Sequence, residues 1–88
     1  MPLVTTNEML KKAQEGHYAV GAFNVENMEM VMAVIKAAEE MNSPVIMQTT
    51  PSTVKYAGLD YYLAMVKTAA ERSSVPVAMH LDHGSSFE

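Results

Sequence analysis

The sequence predicts an α/β fold with parallel strands, and two observations predict it. First, three short apolar runs, YAVGAFNV (18–25), VIMQT (45–49) and VPVAMHLD (75–82), are nearly continuous rather than alternating. Strands buried on both faces look like this, and they occur in parallel sheets. Second, helix-length segments with a period near 3.6 residues separate the runs. Strands alternating with helices imply parallel pairing through right-handed crossovers.

Each element follows from local chemistry. Thr5 and Glu8 have capping-box spacing, and Met9, Leu10 and Ala13 recur at helical intervals, so a short helix is predicted over 6–15 with Gly16 as its C-cap. The run 18–25 is the first strand. Over 26–41, Met28, Val31, Met32, Ile35 and Ala38 follow the i, i+3, i+4, i+7 pattern, with Glu29, Lys36, Glu39 and Glu40 mostly elsewhere on the wheel. Pro44 disfavours helical geometry at the residue before it and ends this helix. The second strand is 45–49, and Thr50-Pro51-Ser52 reads as a loop at its carboxyl end. Asp60 is a candidate N-cap for a helix to about residue 72, with Tyr62, Met65, Val66 and Ala69 on one face. The run 75–82 is the third strand, with Pro76 near its start, where a missing donor is tolerated.

Successive crossovers in one direction place both connecting helices on the same face of the sheet. The opposite face would then expose apolar side chains, and both edges would be open to association. Closure into a (β/α)8 TIM barrel removes both problems, because the second face becomes the packed interior. Such a barrel takes about 250 residues. The 88 residues supply a leading helix and three βα-type strands, the N-terminal portion of a single incomplete barrel domain spanning 1–88. A doubly wound half-domain is the competing architecture, and it too needs more chain to cover its second face.

Composition narrows the function. At 49% hydrophobic and 18% charged, the chain is globular rather than disordered. A formal charge of −4 without basic runs argues against nucleic-acid or anionic-membrane partners. No apolar run approaches the roughly 20 residues that span a bilayer. The start lacks signal-peptide order, and with no cysteine present a cytoplasmic location is expected. Nine methionines could form an adaptable binding surface, but most recur inside helical or strand patterns as core filler.

The densest polar cluster is His80-Leu81-Asp82-His83-Gly84, where a buried parallel strand ends. Active sites of parallel α/β folds sit at such ends. Two readings are open: a neutral imidazole on a divalent metal beside a carboxylate acting as general acid/base, or a hydrogen-bonded structural network. Along a strand His80 and Asp82 point to one face and His83 to the other, so His83 joins them only if the chain turns, which Gly84 permits. His17 precedes the first strand, lies at the opposite rim and is expected to face solvent. Asn24 and the group Gln48, Thr49, Thr50 and Ser52 end the other two strands and could orient a polyhydroxy or phosphate-bearing substrate, or serve as turn and cap residues. No strand ends in a lysine that could form an imine with a ketose.

HLDHGSSFE at 80–88 resembles the metal-and-acid segment of class II fructose-bisphosphate and tagatose-bisphosphate aldolases. MPLVTTNEML, YAVGAFNVEN and SPVIMQTTPST resemble that family's leading helix, first strand and second strand with its loop. The resemblance implies reversible aldol cleavage of a ketose 1,6-bisphosphate, fructose or tagatose, to dihydroxyacetone phosphate and glyceraldehyde 3-phosphate. It implies a Zn2+ cofactor with His83 as ligand, and Asp82 as the catalytic acid/base. His80 either orients Asp82 or closes the hydrogen-bond network around it, and Asn24 and Thr50 are substrate contacts. A monovalent cation, a phosphorylated-sugar partner and a homo-oligomeric full-length protein are further implications. Ser52 departs from the glycine of many members, which leaves the sugar stereochemistry open. Alternatives are a non-catalytic truncated barrel fragment and another metal-dependent TIM-barrel lyase.

Overall fold

The computed structural model describes residues 2–84. The elements run α1 (Thr6–Gly16), β1 (Gly21–Asn24), α2 (Met28–Glu40), β2 (Val45–Thr49), α3 (Pro51–Ala57), α4 (Leu59–Arg72) and β3 (Val77–Leu81). The three strands form one parallel sheet in the order β1-β2-β3. The register places Gly21, Val45 and Val77 in one row and Asn24, Gln48 and His80 in another, at the carboxyl end.

Caps set the helix starts. The Thr5 hydroxyl accepts the Glu8 N–H, and the Asn27 side chain accepts the Met30 N–H at 2.9 Å. Three local expectations are corrected. His17, not Gly16, takes the left-handed position after α1, at φ 57°. A Cβ at Gly16 would lie 2.7 Å from the exposed Tyr18 ring, which would have to swing aside to admit it. The loop expected after Thr50 is a helix, α3, which Thr50 precedes as N-cap residue and Pro51 opens. Asp60 is not a cap, because α4 begins at Leu59 directly after Gly58, whose φ of 97° turns the chain from α3 into α4. Strands β1 and β3 are shorter than the apolar runs that predict them.

Strand alternation divides the core in two. Val45, Met47 and Val77 pack with Val31 and Ala38 of α2 and Val66 and Ala70 of α4. On the other face Ile46 and Ala78 pack against Met9 of α1, with Val4 and Val20 partly buried beside them. The second face is therefore not left bare at its amino-terminal end, contrary to the sequence expectation. Leader residues also reach the outer edge of β3, where Val4 N–H donates to the Val77 carbonyl at 2.9 Å and Leu3 bridges Val77. Exposed apolar surface gathers elsewhere, on Phe23 at the edge of β1 and on Met28, Met32 and Met41. None of the described helices is long and apolar enough to cross a membrane.

A candidate active site at the carboxyl ends of the strands

Period-2 alternation carries the inner face from apolar to polar within two residues. Ala22, Ile46 and Ala78 occupy one row, and Asn24, Gln48 and His80 occupy the next row of the same face. The three polar side chains form a ladder across the sheet. Gln48 Nε2 donates to Asn24 Oδ1 at 2.8 Å, and Gln48 Oε1 meets His80 Nδ1 at 3.2 Å. The bond places His80 in a hydrogen-bonded network with Gln48. Gln48 is the member that sequence reasoning grouped with its neighbours and did not single out. Its signal is positional: it is the last inner-face residue of β2, as Asn24 is of β1.

Asp82 and His83 follow β3 in a turn. The Asp82 N–H donates to the Thr49 carbonyl at 2.7 Å, which holds the turn against the end of β2. His83 itself adopts φ 57°, so the reversal occurs there rather than at Gly84. Asp82 Oδ1 accepts the His83 N–H at 3.1 Å, and Asp82 Oδ2 lies 3.5 Å from His83 Nε2. The left-handed turn thus brings together two side chains that a continuing strand would send to opposite faces. The Asp82 side chain is 35% exposed and the His83 side chain 80% exposed. His17 is exposed at the opposite rim. The remainder of the His80–Glu88 motif, residues 85–88, lies outside the described residues.

Thr50 stands apart from both groups. Its hydroxyl is within hydrogen-bond distance of Ser52 Oγ, at 3.1 Å, and Thr53 Oγ1, at 3.2 Å, at the start of α3. Tyr62 was expected only as a helix-face residue, yet its fully buried phenol donates a hydrogen bond to the Glu26 carbonyl. That bond ties α4 to the loop following Asn24. Burial raises the phenol pKa above its ordinary value, and the Glu26 charge and Tyr56 raise it further.

Comparison with known proteins decides the family. The family described as class-II fructose-bisphosphate aldolase matches residues 4–88. The chain belongs to that family. The fructose-bisphosphate aldolase of Helicobacter pylori is 51% identical over 98% of this aldolase-family chain, and the match covers 28% of that enzyme. The fructose-bisphosphate aldolase of Thermus caldophilus is also 51% identical over 98% of the chain, again covering 28% of its own length. The crystal structure of the YdjI aldolase from Escherichia coli K12 superposes with a TM-score of 0.85 at 41% identity, over 97% of this chain and 33% of that one. The chain thus spans between 28% and 33% of the length of these relatives. Its leading helix and parallel strands are the N-terminal part of the aldolase (β/α)8 barrel.

The aldolase-family fold explains the division of the inner face. Conserving a packed barrel floor while varying the carboxyl-end loops is how such barrels separate stability from chemistry. Here α1 covers the floor and the polar row opens above it.

Proposed function

We propose that this chain is the acid/base and metal-holding segment of a zinc-dependent class II aldolase. The full-length protein would cleave fructose or tagatose 1,6-bisphosphate to dihydroxyacetone phosphate and glyceraldehyde 3-phosphate, and would catalyse the reverse condensation. One observation carries the reading: the left-handed turn at His83 sets an imidazole and the Asp82 carboxylate side by side at the carboxyl end of a barrel strand, in a family of aldolases.

The donor chemistry suits the metal. An exposed imidazole nitrogen is a zinc donor of choice, and the segment contains no cysteine to compete. Among the described residues no three His, Asp or Glu side chains converge. Catalytic zinc takes about three protein ligands, so the others would come from outside the described residues. The isolated segment is therefore inactive on this proposal. Zinc bound there would supply Lewis acidity toward the ketone oxygen of the substrate.

The protein side of the reaction falls to named groups. In cleavage Asp82 takes the proton from the hydroxyl whose carbon–carbon bond breaks, and in condensation it returns that proton. Its Oδ1 accepts the His83 N–H, and proton transfer falls to Oδ2, which lies 3.5 Å from His83 Nε2. Asn24 and Thr50 contact the phosphorylated substrate, and His80 supports the site through the ladder. Cytoplasmic location, a homo-oligomeric state and a monovalent cation belong to the same proposal. The test uses the full-length form, the segment within a polypeptide of its relatives' length. Chelation should abolish cleavage of fructose 1,6-bisphosphate, and added Zn2+ should restore it in the native protein but not in His83→Ala. Activity that survives both chelation and His83→Ala would refute the proposal.

A further inference from the structure

We infer that Gln48 is a positioning residue that fixes the hydrogen-bond polarity of the strand-end row and so makes Asn24 a donor to its ligand. The inference rests on the proposed aldolase reading for its ligand but not for its geometry. Gln48 is the middle strand's member of a row in strict parallel register, with Asn24 on one side and His80 on the other. A primary amide has one donor end and one acceptor end. Its donor end is spent on Asn24 Oδ1 at 2.8 Å, and its acceptor end meets His80 Nδ1 at 3.2 Å. A carbonyl oxygen has no proton to give, so with the Gln48 amide in this orientation Nδ1 is the donor. A neutral His80 therefore carries its proton on Nδ1 and keeps its lone pair on Nε2.

The consequence falls on Asn24. Its oxygen is turned toward Gln48 and already accepts one hydrogen bond there, and its Nδ2–H2 group, with both hydrogens uncommitted to Gln48, is the end turned to a ligand. An unrestrained asparagine at an exposed strand end can turn either end outward. Here reversal would set Asn24 Nδ2–H against Gln48 Nε2–H, donor against donor. The row therefore presents a donor pair to an oxygen acceptor, the chemistry of a phosphoryl or ketose oxygen. It disfavours ligands that need an acceptor at this point.

Gln48→Glu tests this in the full-length form. Glutamate keeps the size of Gln48 and still accepts from His80, but it cannot donate. Asn24 would turn to donate to it and would present Oδ1 outward. The KM for fructose 1,6-bisphosphate should then rise about tenfold or more, the effect of one reversed hydrogen-bond partner. Gln48→Met, which frees Asn24 without reversing it, should raise KM less, and kcat should change less than KM in both. The proton position on His80 gives a second readout that needs no activity. Nitrogen-15 shifts of labelled histidine in the native protein, assigned by their loss in His80→Asn, should show a protonated Nδ1 and an unprotonated Nε2. A proton on Nε2 alone overturns the inference, and so does a Gln48→Glu KM equal to that of the native enzyme. If native protein shows no turnover of ketose bisphosphates, the aldolase reading fails, and the histidine measurement alone decides the polarity.

Discussion

The two ends of the inner sheet face differ by one pleat and by almost everything else. At the amino-terminal end Ile46 and Ala78 are buried, at 7% and 0% exposure, against Met9 of α1. At the carboxyl end Asn24, Gln48 and His80 replace apolar contact with directional hydrogen bonds, and Asp82 and His83 follow in a turn. The same backbone ladder supports both. The difference teaches that one sheet face can be a stability layer below and a chemical layer above, because strand alternation returns to that face every second residue.

The sharpest way to break this division is Asp82→Asn. Asparagine keeps an oxygen that accepts the His83 N–H, so the turn should persist, while the ionisable group is gone. On the proposed function, kcat for ketose-bisphosphate cleavage in the full-length form should fall by about 10²–10⁴. The unfolding midpoint should stay near that of the native protein. Substantial unfolding by this substitution would show that the upper layer carries stability after all.

Met9→Ala probes the lower layer. Met9 is 4% exposed and closes the floor over Ile46 and Ala78. Its truncation should cost about 2–5 kcal/mol in urea unfolding. The KM of the folded fraction should be unchanged, and a shifted KM would mean that the floor sets the geometry of the row above it.

Tyr62 joins the two kinds of region, since a buried helix residue holds the loop after Asn24 through the Glu26 carbonyl. Tyr62→Phe should cost about 1 kcal/mol, the usual net value of such a bond. The pH dependence has a definite sign. The folded-state pKa of the phenol is raised above 10.0, so the folded protein holds this proton more tightly than the unfolded chain. The associated stability is present below 10.0 and is lost as pH rises from there through the higher folded value. Thermal melts across that range should show a steeper alkaline decline in the native protein than in Tyr62→Phe.

How far these layers were legible in the sequence depended on the length over which a signal repeats. The periodic helices α1, α2 and α4 were readable because apolar spacing accumulates over many residues, and the strand β2 because its short apolar run is continuous and follows Pro44. Helix α3 was not, because seven residues with β-branched Thr53 and Val54 give no helical period, and only Thr50-Pro51 marks its start. The coverage of the second face by α1 was hidden for another reason. Whether a leading helix crosses the floor of the sheet is a tertiary choice that its own amphipathic pattern does not encode. At the site, Asp82 and His83 stood out by residue type and strand-end position. Their approach needed a left-handed residue, and sequence chemistry pointed to Gly84 for it, whereas His83 adopts it. Histidine is among the residues that take this region more readily than most. The His80–Gln48–Asn24 ladder was legible only once strand register was known, because register decides which strand ends share a row.

Thr49 does not fit the two-layer division and so offers the finest test of it. It follows Val45 and Met47 on the helix-facing side of β2 and is 2% exposed, yet its Oγ1 has no hydrogen-bond partner among the described residues. A buried hydroxyl left unpaired costs about 1–3 kcal/mol, whereas an apolar group of the same shape does not. Valine has that shape and favours strands. Thr49→Val should therefore raise stability by about 1 kcal/mol and, on the proposed function, leave the KM of the full-length form for fructose 1,6-bisphosphate unchanged. A gain would place Thr49 with the packed layer despite its position beside Gln48 and Thr50. A loss would mean that the hydroxyl is bonded by a group outside the described residues. The polar layer would then extend through the sheet to its helix-facing side at this level, and the boundary between packing and chemistry would run across the strands rather than between their faces.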